Sequence, residues 1–410
     1  MAAPALRQPS AVARLLAQRP EPLRSTDTRL RWIKAVLSLA LMAGFLLSTE
    51  LWFTDRAYPL TPAAGVLPEI PSPLDHVLLG ALLALLVLVI VSSRPRKYLV
   101  AFVALAIVLA LGDQSRWQPW LYQYLFMAAA LALYTWEGEK RTNGEAVMAV
   151  CRIIVAGVYF WSGLQKANAS FLSDTFPWLV EPLTASLPGS VASVISDAGF
   201  LVPIFEAGIG VALLTRRYRN YGVIAALMMH AFILLSIGPF GHDVNSVVWP
   251  WNVAMAALVV LLFWDTGAAG VREAMTGGTR WLRIAVVALF AAMPALSFVG
   301  AWDSYLSSTL YSGKTARATI FLTPEAAERV PAAARRYALP DGDVHVLSLF
   351  DWSMGELNVP PYPEPRIFKS VARELCSQIR PATGLELAVR DRPGLFTTER
   401  TTRAYGCRSL

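Results

Sequence analysis

The chain has 410 residues, of which 55% are hydrophobic and only 16% are charged, and its mean hydropathy is +0.46. This composition excludes a soluble globular protein of ordinary makeup and is typical of a multi-pass membrane protein. The net charge of +7 is not concentrated in a separate basic domain, so we expect no nucleic-acid partner.

The first thirty residues form an arginine-rich segment with no acidic residue before Glu21. They lack the separate apolar core and small-residue cleavage site of a secretory signal peptide. We therefore expect residues 1–30 to be a cytoplasmic basic tail, and a mitochondrial targeting segment is the alternative that this composition leaves open.

Nine apolar stretches follow the tail, and most of them approach the roughly 17 to 25 residues that a helix needs to cross a bilayer. They cover residues 32–53, 74–93, 98–112, 117–136, 147–165, 198–214, 219–237, 247–264 and 281–302. The third stretch is the weakest, because its length suits a short or partly re-entrant helix. The pattern predicts an all-α polytopic membrane bundle of about nine transmembrane helices over residues 31–302.

The basic residues of the loops predict how the bundle is oriented. If the amino terminus is cytoplasmic, seventeen lysines and arginines fall inside, and the outside connections before residue 302 carry only Arg56, Arg116 and Lys166. Cytoplasmic loops of membrane proteins show this excess of basic residues. We therefore expect the amino terminus inside and the carboxyl terminus outside, in a bacterial cytoplasmic membrane.

The fifth stretch carries a polar stripe made of Arg152, Tyr159, Gly163 and Lys166. Their spacings of seven, four and three place them on one face of a helix. An unpaired charge in hydrocarbon costs at least about 2.5 to 3.5 kcal/mol, so ionisable residues here are candidate functional residues. Lys166 either extends to the outer headgroups or, if shielded from water, offers a neutral amine that acts as a base.

Glu206 and His230 lie in later apolar stretches, and their depths along ideal helices predict their partners. Glu206 at about 12 Å from the cytoplasmic end matches Arg152 at about 8 Å, which predicts an ion pair. His230 at about 17 Å matches Tyr159 at about 18 Å, which predicts a hydrogen bond. Lys166 lies higher, at about 28 Å. Each contact also has a purely structural interpretation, as a helix lock or a satisfied core histidine.

The connection over residues 167–197 is long and half apolar, which predicts an interfacial lid. It places Trp178 close to Lys166, where an indole would suit a flat aromatic ligand. An interfacial anchor explains the tryptophan about as well.

Residues 303–410 are predicted to form a small exterior α/β domain. Strands are expected at 316–322, 344–350 and 385–389, with a helix at 366–379. Four prolines in residues 358–366 predict an extended segment, interpreted as a structural brace in preference to a ligand-binding edge. Cys376 and Cys407 lie in this domain and are expected to form a disulfide, consistent with an oxidising compartment.

Sequence motifs for metal and nucleotide sites are missing. There is no CxxC, HExxH, Walker loop or GxSxG sequence, and the four histidines are not clustered. We therefore expect neither a metal nor a nucleotide cofactor.

The run R-x6-Y-F-x-S-G-x-x-K-x-N over residues 152–168 resembles the core motif of the vitamin K-dependent γ-carboxylase and HTTM superfamily. A second block, from Glu206 to His230 with Arg219 and Gly222 between, is similar to that family's acidic residue, basic turn and histidine. The chain departs from the family at residues 116–120 and at Asn168. Its exterior region, of about 108 residues, is also much shorter.

This resemblance implies a membrane enzyme in which Lys166 is the base toward a reduced quinone, a vitamin K-like hydroquinone, and His230 orients the ligand or stabilises charge. The predicted ligand-binding residues are Tyr159, Arg152, Glu206 and Trp178. We expect a quinol-dependent, lyase-like activity on a quinone-type or isoprenoid lipid. The alternative is a non-catalytic scaffold that binds membrane lipids, or an envelope protein through the exterior domain. A transporter is disfavoured because no internal repeat is visible.

Overall fold

The computed structural model describes residues 25–65, 67, 69–136, 144–266, 280–379 and 383–410. Most of the predicted cytoplasmic tail lies outside this description. Its last residues do not form a tail, because the first helix already begins at Thr26, where the Ser25 side chain accepts a hydrogen bond from the backbone of Thr28. Besides the arginines before residue 25, Lys140, Arg141 and Arg272 were used to predict the orientation and lie outside the described residues.

Helices account for most of the described chain up to residue 299. They are α1 (Thr26–Leu47), α2 (Leu74–Val91), α3 (Arg96–Gly112), α4 (Pro119–Ala132), α5 (Gly144–Gln165), α6 (Phe176–Thr184), α7 (Gly189–Asp197), α8 (Leu201–Leu214), α9 (Arg219–Ile237), α10 (Val248–Phe263) and α11 (Arg280–Val287). A π-helical turn and a 3-10 turn extend α11 to Val299.

Among the described residues, six helical segments are long and apolar enough to cross a membrane: α1, α2, α5, α9, the joined α7 and α8, and the extended α11. Each of the nine predicted apolar stretches contains a helix, but α3, α4 and α10 are shorter. The helices agree with a multi-pass membrane bundle. The number of crossings and the orientation stay predictions.

The sequence makes the third stretch the weakest, but the helix in the fourth stretch is shorter than the helix in the third. Helix α4 has 14 residues and α3 has 17. Twelve of the residues of α4 are buried, and the helix packs against α1, α3 and α5. A helix surrounded by other helices does not have to match the thickness of the bilayer along its own length.

Two glycines bring α5 and α8 into direct backbone contact. A Cβ atom added at Gly163 would lie 2.3 Å from the backbone nitrogen of Ala207, and one at Gly210 would lie 2.7 Å from the carbonyl oxygen of Ala156. Small residues permit this close approach between membrane helices. The two contacts fix the register of an antiparallel pair and place Glu206 beside the carboxyl end of α5.

The carboxyl-terminal domain contains five described strands in one antiparallel sheet, in the order β2-β3-β1-β4-β5. The strands are β1 (Arg317–Leu322), β2 (Ala338–Asp341), β3 (Val344–Ser348), β4 (Leu385–Arg390) and β5 (Thr402–Gly406), and the helices are α12 (Pro324–Ala327), α13 (Ala332–Arg335), α14 (Leu349–Leu357) and α15 (Pro365–Gln378). The predicted strands appear as β1, β3 and β4, and the predicted helix as α15. The second expected run, 344–350, ends early at Ser348, because Leu349 and Phe350 belong to α14.

A disulfide joins Cys376 and Cys407, as expected. It links α15 to the 3-10 turn that follows β5, at one edge of the sheet. Neither edge strand is visible in the sequence pattern, because β2 contains a proline and has one buried residue, and β5 has none.

Residues 359–364 of the proline-rich segment lie outside helices and strands and are buried, whereas Pro365 and Arg366 already belong to α15. The segment joins the sheet domain to the helices. Asn358 donates hydrogen bonds to the carbonyl oxygen of Leu47 at 2.8 Å and to the hydroxyl of Ser246 at 2.7 Å. Gln118 donates to the carbonyl oxygen of Pro360 at 3.2 Å. These contacts make the segment the brace that the sequence predicts.

Candidate functional site

A cavity of about 100 Å³ lies between α5, α8, α9 and α10, and Ser308, Leu310 and Tyr311 of the carboxyl-terminal domain border it. Its walls are mostly apolar, with Val158, Met229 and Trp251 among them. The polar side chains from the helical part are Tyr159, Ser162, Lys166, Glu206, His230 and Asn252. Four of the six side chains predicted to form the site therefore meet here.

Lys166 is buried against Glu206 and does not extend to the headgroups. Lys166 directly follows the last residue of α5, and its side chain points back along the helix. Only 8% of the residue is exposed. The Nζ atom lies 2.7 Å from Oε2 of Glu206 and 2.7 Å from the hydroxyl of Ser162, and 3.3 Å from the Ser162 carbonyl oxygen. The amine is shielded, as the base hypothesis requires, but it is already paired with a carboxylate.

The predicted pair between Arg152 and Glu206 is wrong. The guanidinium of Arg152 donates to the carbonyl oxygen of Leu262 at 2.8 Å and contacts Glu145 at 3.3 Å. The prediction assumed that both helices start at one level, whereas the contact at Gly163 shifts α8 toward the carboxyl end of α5. Arg152 thus connects α5 to α10 below the cavity and does not line it.

The predicted hydrogen bond between Tyr159 and His230 is present. The Tyr159 hydroxyl lies 2.5 Å from Nε2 of His230, and Nδ1 of the same ring lies 2.8 Å from Oδ1 of Asn252. Because the Asn252 amide nitrogen donates to the carbonyl of Val248 at 2.8 Å, its oxygen is free to accept from the ring. This assigns the proton of a neutral imidazole to Nδ1 and makes Nε2 the acceptor of the tyrosine proton.

Removing the Asn252 amide tests this hydrogen-bond chain. We expect Asn252→Leu to lower the free energy of unfolding by about 1 to 3 kcal/mol, because the ring nitrogen of His230 loses its only protein acceptor among the described residues and stays buried. Thermal unfolding in detergent measures the change. Val253→Leu, on the exposed side of α10, is the matched control and should leave the midpoint unchanged. An Asn252→Leu protein as stable as the parent would show that the ring does not depend on this amide.

Trp178 does not line the cavity, although it is only twelve positions from Lys166 in the sequence. The predicted lid is largely helical, and Trp178 lies in α6. Its ring stacks on His242 with centroids 4.2 Å apart, and its carbonyl oxygen lies 2.6 Å from Nε2 of that histidine. The indole lines a second cleft, which lies between the helices and the carboxyl-terminal domain.

Ser162 and Asn252 are site residues that the sequence prediction missed. Ser162 precedes Lys166 by four positions, one helical turn, so the stripe periodicity already places it on the correct face. Asn252 is the single amide in the apolar stretch 247–264, and a buried amide in a membrane helix is a usable signal even without charge. Both side chains are neutral, so a prediction based on ionisable groups does not include them.

The arrangement brings together an ammonium and carboxylate pair, a neutral imidazole and a phenol around one apolar space. The Tyr159 oxygen donates to His230 and keeps lone pairs available to a ligand. The Lys166 and Glu206 pair can pass a proton between its members without exposing a net charge to hydrocarbon. The site can therefore bind a polar headgroup and exchange a proton with it.

Comparison with known proteins adds no identification: no family model, curated protein or solved structure matches this chain.

Proposed function

We propose that the protein is an enzyme of a bacterial cytoplasmic membrane that binds a quinol-type or isoprenoid lipid in the cavity and removes a proton from its headgroup. In this proposal nine segments cross the membrane, with the amino terminus inside and the exterior domain outside, as the loop charges favour. The resemblance to the vitamin K-dependent carboxylase and HTTM superfamily supports the same ligand class. The observation that carries the proposal is the buried Lys166–Glu206 pair on the wall of an apolar cavity.

The proposed role of the pair is a two-step proton relay. Lys166 first gives one proton to Glu206 and becomes a neutral amine. The amine then takes the proton of a ligand hydroxyl, which leaves an ammonium beside the ligand oxyanion and a neutral Glu206. The ligand oxyanion thus replaces the carboxylate as the partner of the ammonium, and no unpaired charge stays in the low-dielectric site.

Tyr159 and His230 have a positioning role in this proposal. The Tyr159 oxygen can accept a hydrogen bond from the ligand while its own proton is held by His230. Because the imidazole is fixed in turn by Asn252, the phenol is pre-organised before the ligand arrives. The size of the cavity limits the enclosed part of the ligand to a small headgroup, so the tail has to lie outside it.

Mass spectrometry of lipids that copurify with the detergent-extracted protein tests the proposal. We expect a quinone or isoprenoid lipid with the parent protein, and about a tenfold loss in both Lys166→Ala and Lys166→Arg, since arginine cannot become a neutral amine and does not fit the same contacts. Lys34→Arg is the matched control, because Lys34 is a buried lysine that donates to the carbonyls of Ile90 and Ser92 in another part of the bundle. Absence of such a lipid, or its full retention by Lys166→Arg, contradicts the proposal.

A non-catalytic scaffold is the second candidate. It is favoured by one observation, which is that Ser162 and Glu206 already satisfy Lys166, as in a structural ion pair. Under this proposal the exterior domain would bind an envelope protein or lipid and the cavity would be empty of a specific ligand. A copurified phospholipid mixture without a quinone or isoprenoid component favours the scaffold.

A further inference from the structure

A second and larger cleft, of about 620 Å³, lies where the helical part meets the exterior domain. Asp174 and Trp178 form the helical side, and β1, the end of β3 and the proline brace form the opposite side. Leu310 and Tyr311 border both this cleft and the inner cavity. A two-residue wall therefore separates the two spaces.

One end of the cleft carries a net positive charge. Arg317 and Arg390 line it, and they are direct cross-strand partners in β1 and β4, both exposed. Like charges placed directly opposite each other destabilise a sheet. Among the described residues that line the cleft, Asp174 is the only carboxylate. A destabilising pair beside an open cleft is the expected arrangement where an anion binds.

A third arginine, Arg400, strengthens the positive field from behind the cleft. Its guanidinium donates to the carbonyl oxygens of Thr315 at 2.6 Å and Gly313 at 2.7 Å. Burial, together with repulsion from Arg317 and Arg390, lowers the pKa of Arg400 to about 10, so it is charged at neutral pH. It therefore adds charge to the site without competing for the ligand position.

The remaining walls of the cleft carry hydroxyl side chains, such as Thr319 and Ser348, and several apolar residues. The apolar residues include Phe350, which is 54% exposed, and the rings of Pro360 and Pro361 from the brace. Exposed apolar surface next to a cationic end suits a molecule with an anionic head and an apolar body. Val244 lines the cleft and lies between the last residue of α9 and the first residue of α10, so in the proposed membrane placement the cleft is level with the ends of these two helices and faces the lipid headgroups.

We propose that this cleft binds the phosphate group of an anionic amphiphile, with Arg317 and Arg390 on the phosphate and the apolar body directed toward Leu310 and Tyr311. The bound phosphate group can belong to a membrane phospholipid or to free inorganic phosphate. The geometry favours the lipid, because the apolar residues of the cleft would have no partner with phosphate alone. The proposal rests on the membrane placement proposed above, but not on any chemistry at Lys166.

Binding of labelled phosphatidylglycerol and phosphatidylcholine, delivered to the purified protein in detergent, tests the proposal. We expect the parent to prefer phosphatidylglycerol, and the double variant Arg317→Gln/Arg390→Gln to lose affinity for it by about tenfold or more, since charge-assisted contacts to phosphate are lost. Arg408→Gln is the matched control, because it removes the same charge from the exposed surface beyond the opposite end of β4. A double variant that loses the phosphatidylglycerol preference but keeps the copurified quinone or isoprenoid lipid separates this test from that of the inner cavity.

Thermal unfolding checks that the double variant folds. Its midpoint should be no lower than that of the parent, because the substitutions relieve a like-charge pair. Inorganic phosphate supplies the second arm of the test. Saturable stabilisation by phosphate that needs both arginines, without a preference between the two lipids, supports the free anion as the source. Equal lipid binding without a phosphate effect, or a phosphatidylglycerol preference that survives in the double variant, overturns the proposal.

Discussion

Lys166→Met is expected to lower the free energy of unfolding by about 3 to 5 kcal/mol. The substitution keeps the length of the side chain but leaves the Glu206 carboxylate, which is 6% exposed, without its ammonium partner. An unpaired buried carboxylate is among the few single changes with an effect of this size. Denaturant or thermal unfolding of the detergent-solubilised protein measures it.

The double variant Lys166→Met/Glu206→Leu provides the control for this prediction. Replacing both partners by apolar residues removes the buried charges together, so most of the lost stability should return. Ser162→Ala, which removes one acceptor of the same amine, should cost only about 1 kcal/mol. If Lys166→Met proves as stable as the parent, the carboxylate must reach water, and the shielded pair on which the proposed proton relay depends does not exist.

Gly163→Ala is expected to have the second large effect, a loss at or above the upper end of about 1 to 3 kcal/mol. The new methyl group would lie 2.3 Å from the Ala207 nitrogen and 2.8 Å from the Pro203 carbonyl oxygen. These are backbone atoms, which cannot rotate away, so α5 and α8 have to separate. The separation would also pull Glu206 away from Lys166, and we expect the copurified lipid to be lost with it.

Gly208→Ala is the matched control, since it makes the same substitution in the adjacent helix. A Cβ atom at Gly208 meets nothing within 4 Å among the described residues. This variant should be unchanged or more stable by up to about 1 kcal/mol, because alanine has the higher helix propensity. Equal stability of the two variants would mean that α5 and α8 do not touch at Gly163.

Helical periodicity predicted the direction of the polar stripe but not the level of each contact. Tyr159 and Lys166 both face the cavity, as their spacing requires. Arg152 shares their face, but about 21 Å of helix separates it from Lys166. One small cavity cannot reach both side chains. A spacing rule fixes the azimuth of a side chain around its own helix, and it contains no information on the neighbouring helix.

Partner choice depended on the register between helices. The assignment of Glu206 to Arg152 used distances from assumed helix ends, whereas the backbone contacts at Gly163 and Gly210 set the actual register. Tyr159 and His230, in contrast, form the hydrogen bond that the same kind of distance predicted. Closeness along the chain was no better a guide for Trp178. The helix that carries Trp178 places it on the second cleft and not on the cavity beside Lys166.

The amino-acid sequence alone predicts the apolar helices, three of the five described strands, the cysteine pair and the polar residues of the apolar stretches that need a partner. Each of these follows from composition, from a period of 3.6 or 2, or from the small number of thiols. Three contacts are visible only in the tertiary structure. Lys166 pairs with Glu206, Asn252 accepts a hydrogen bond from His230, and Arg317 lies opposite Arg390 in β1 and β4. These contacts join residues 22 to 73 positions apart, and their energies depend on a packing register that no local pattern encodes.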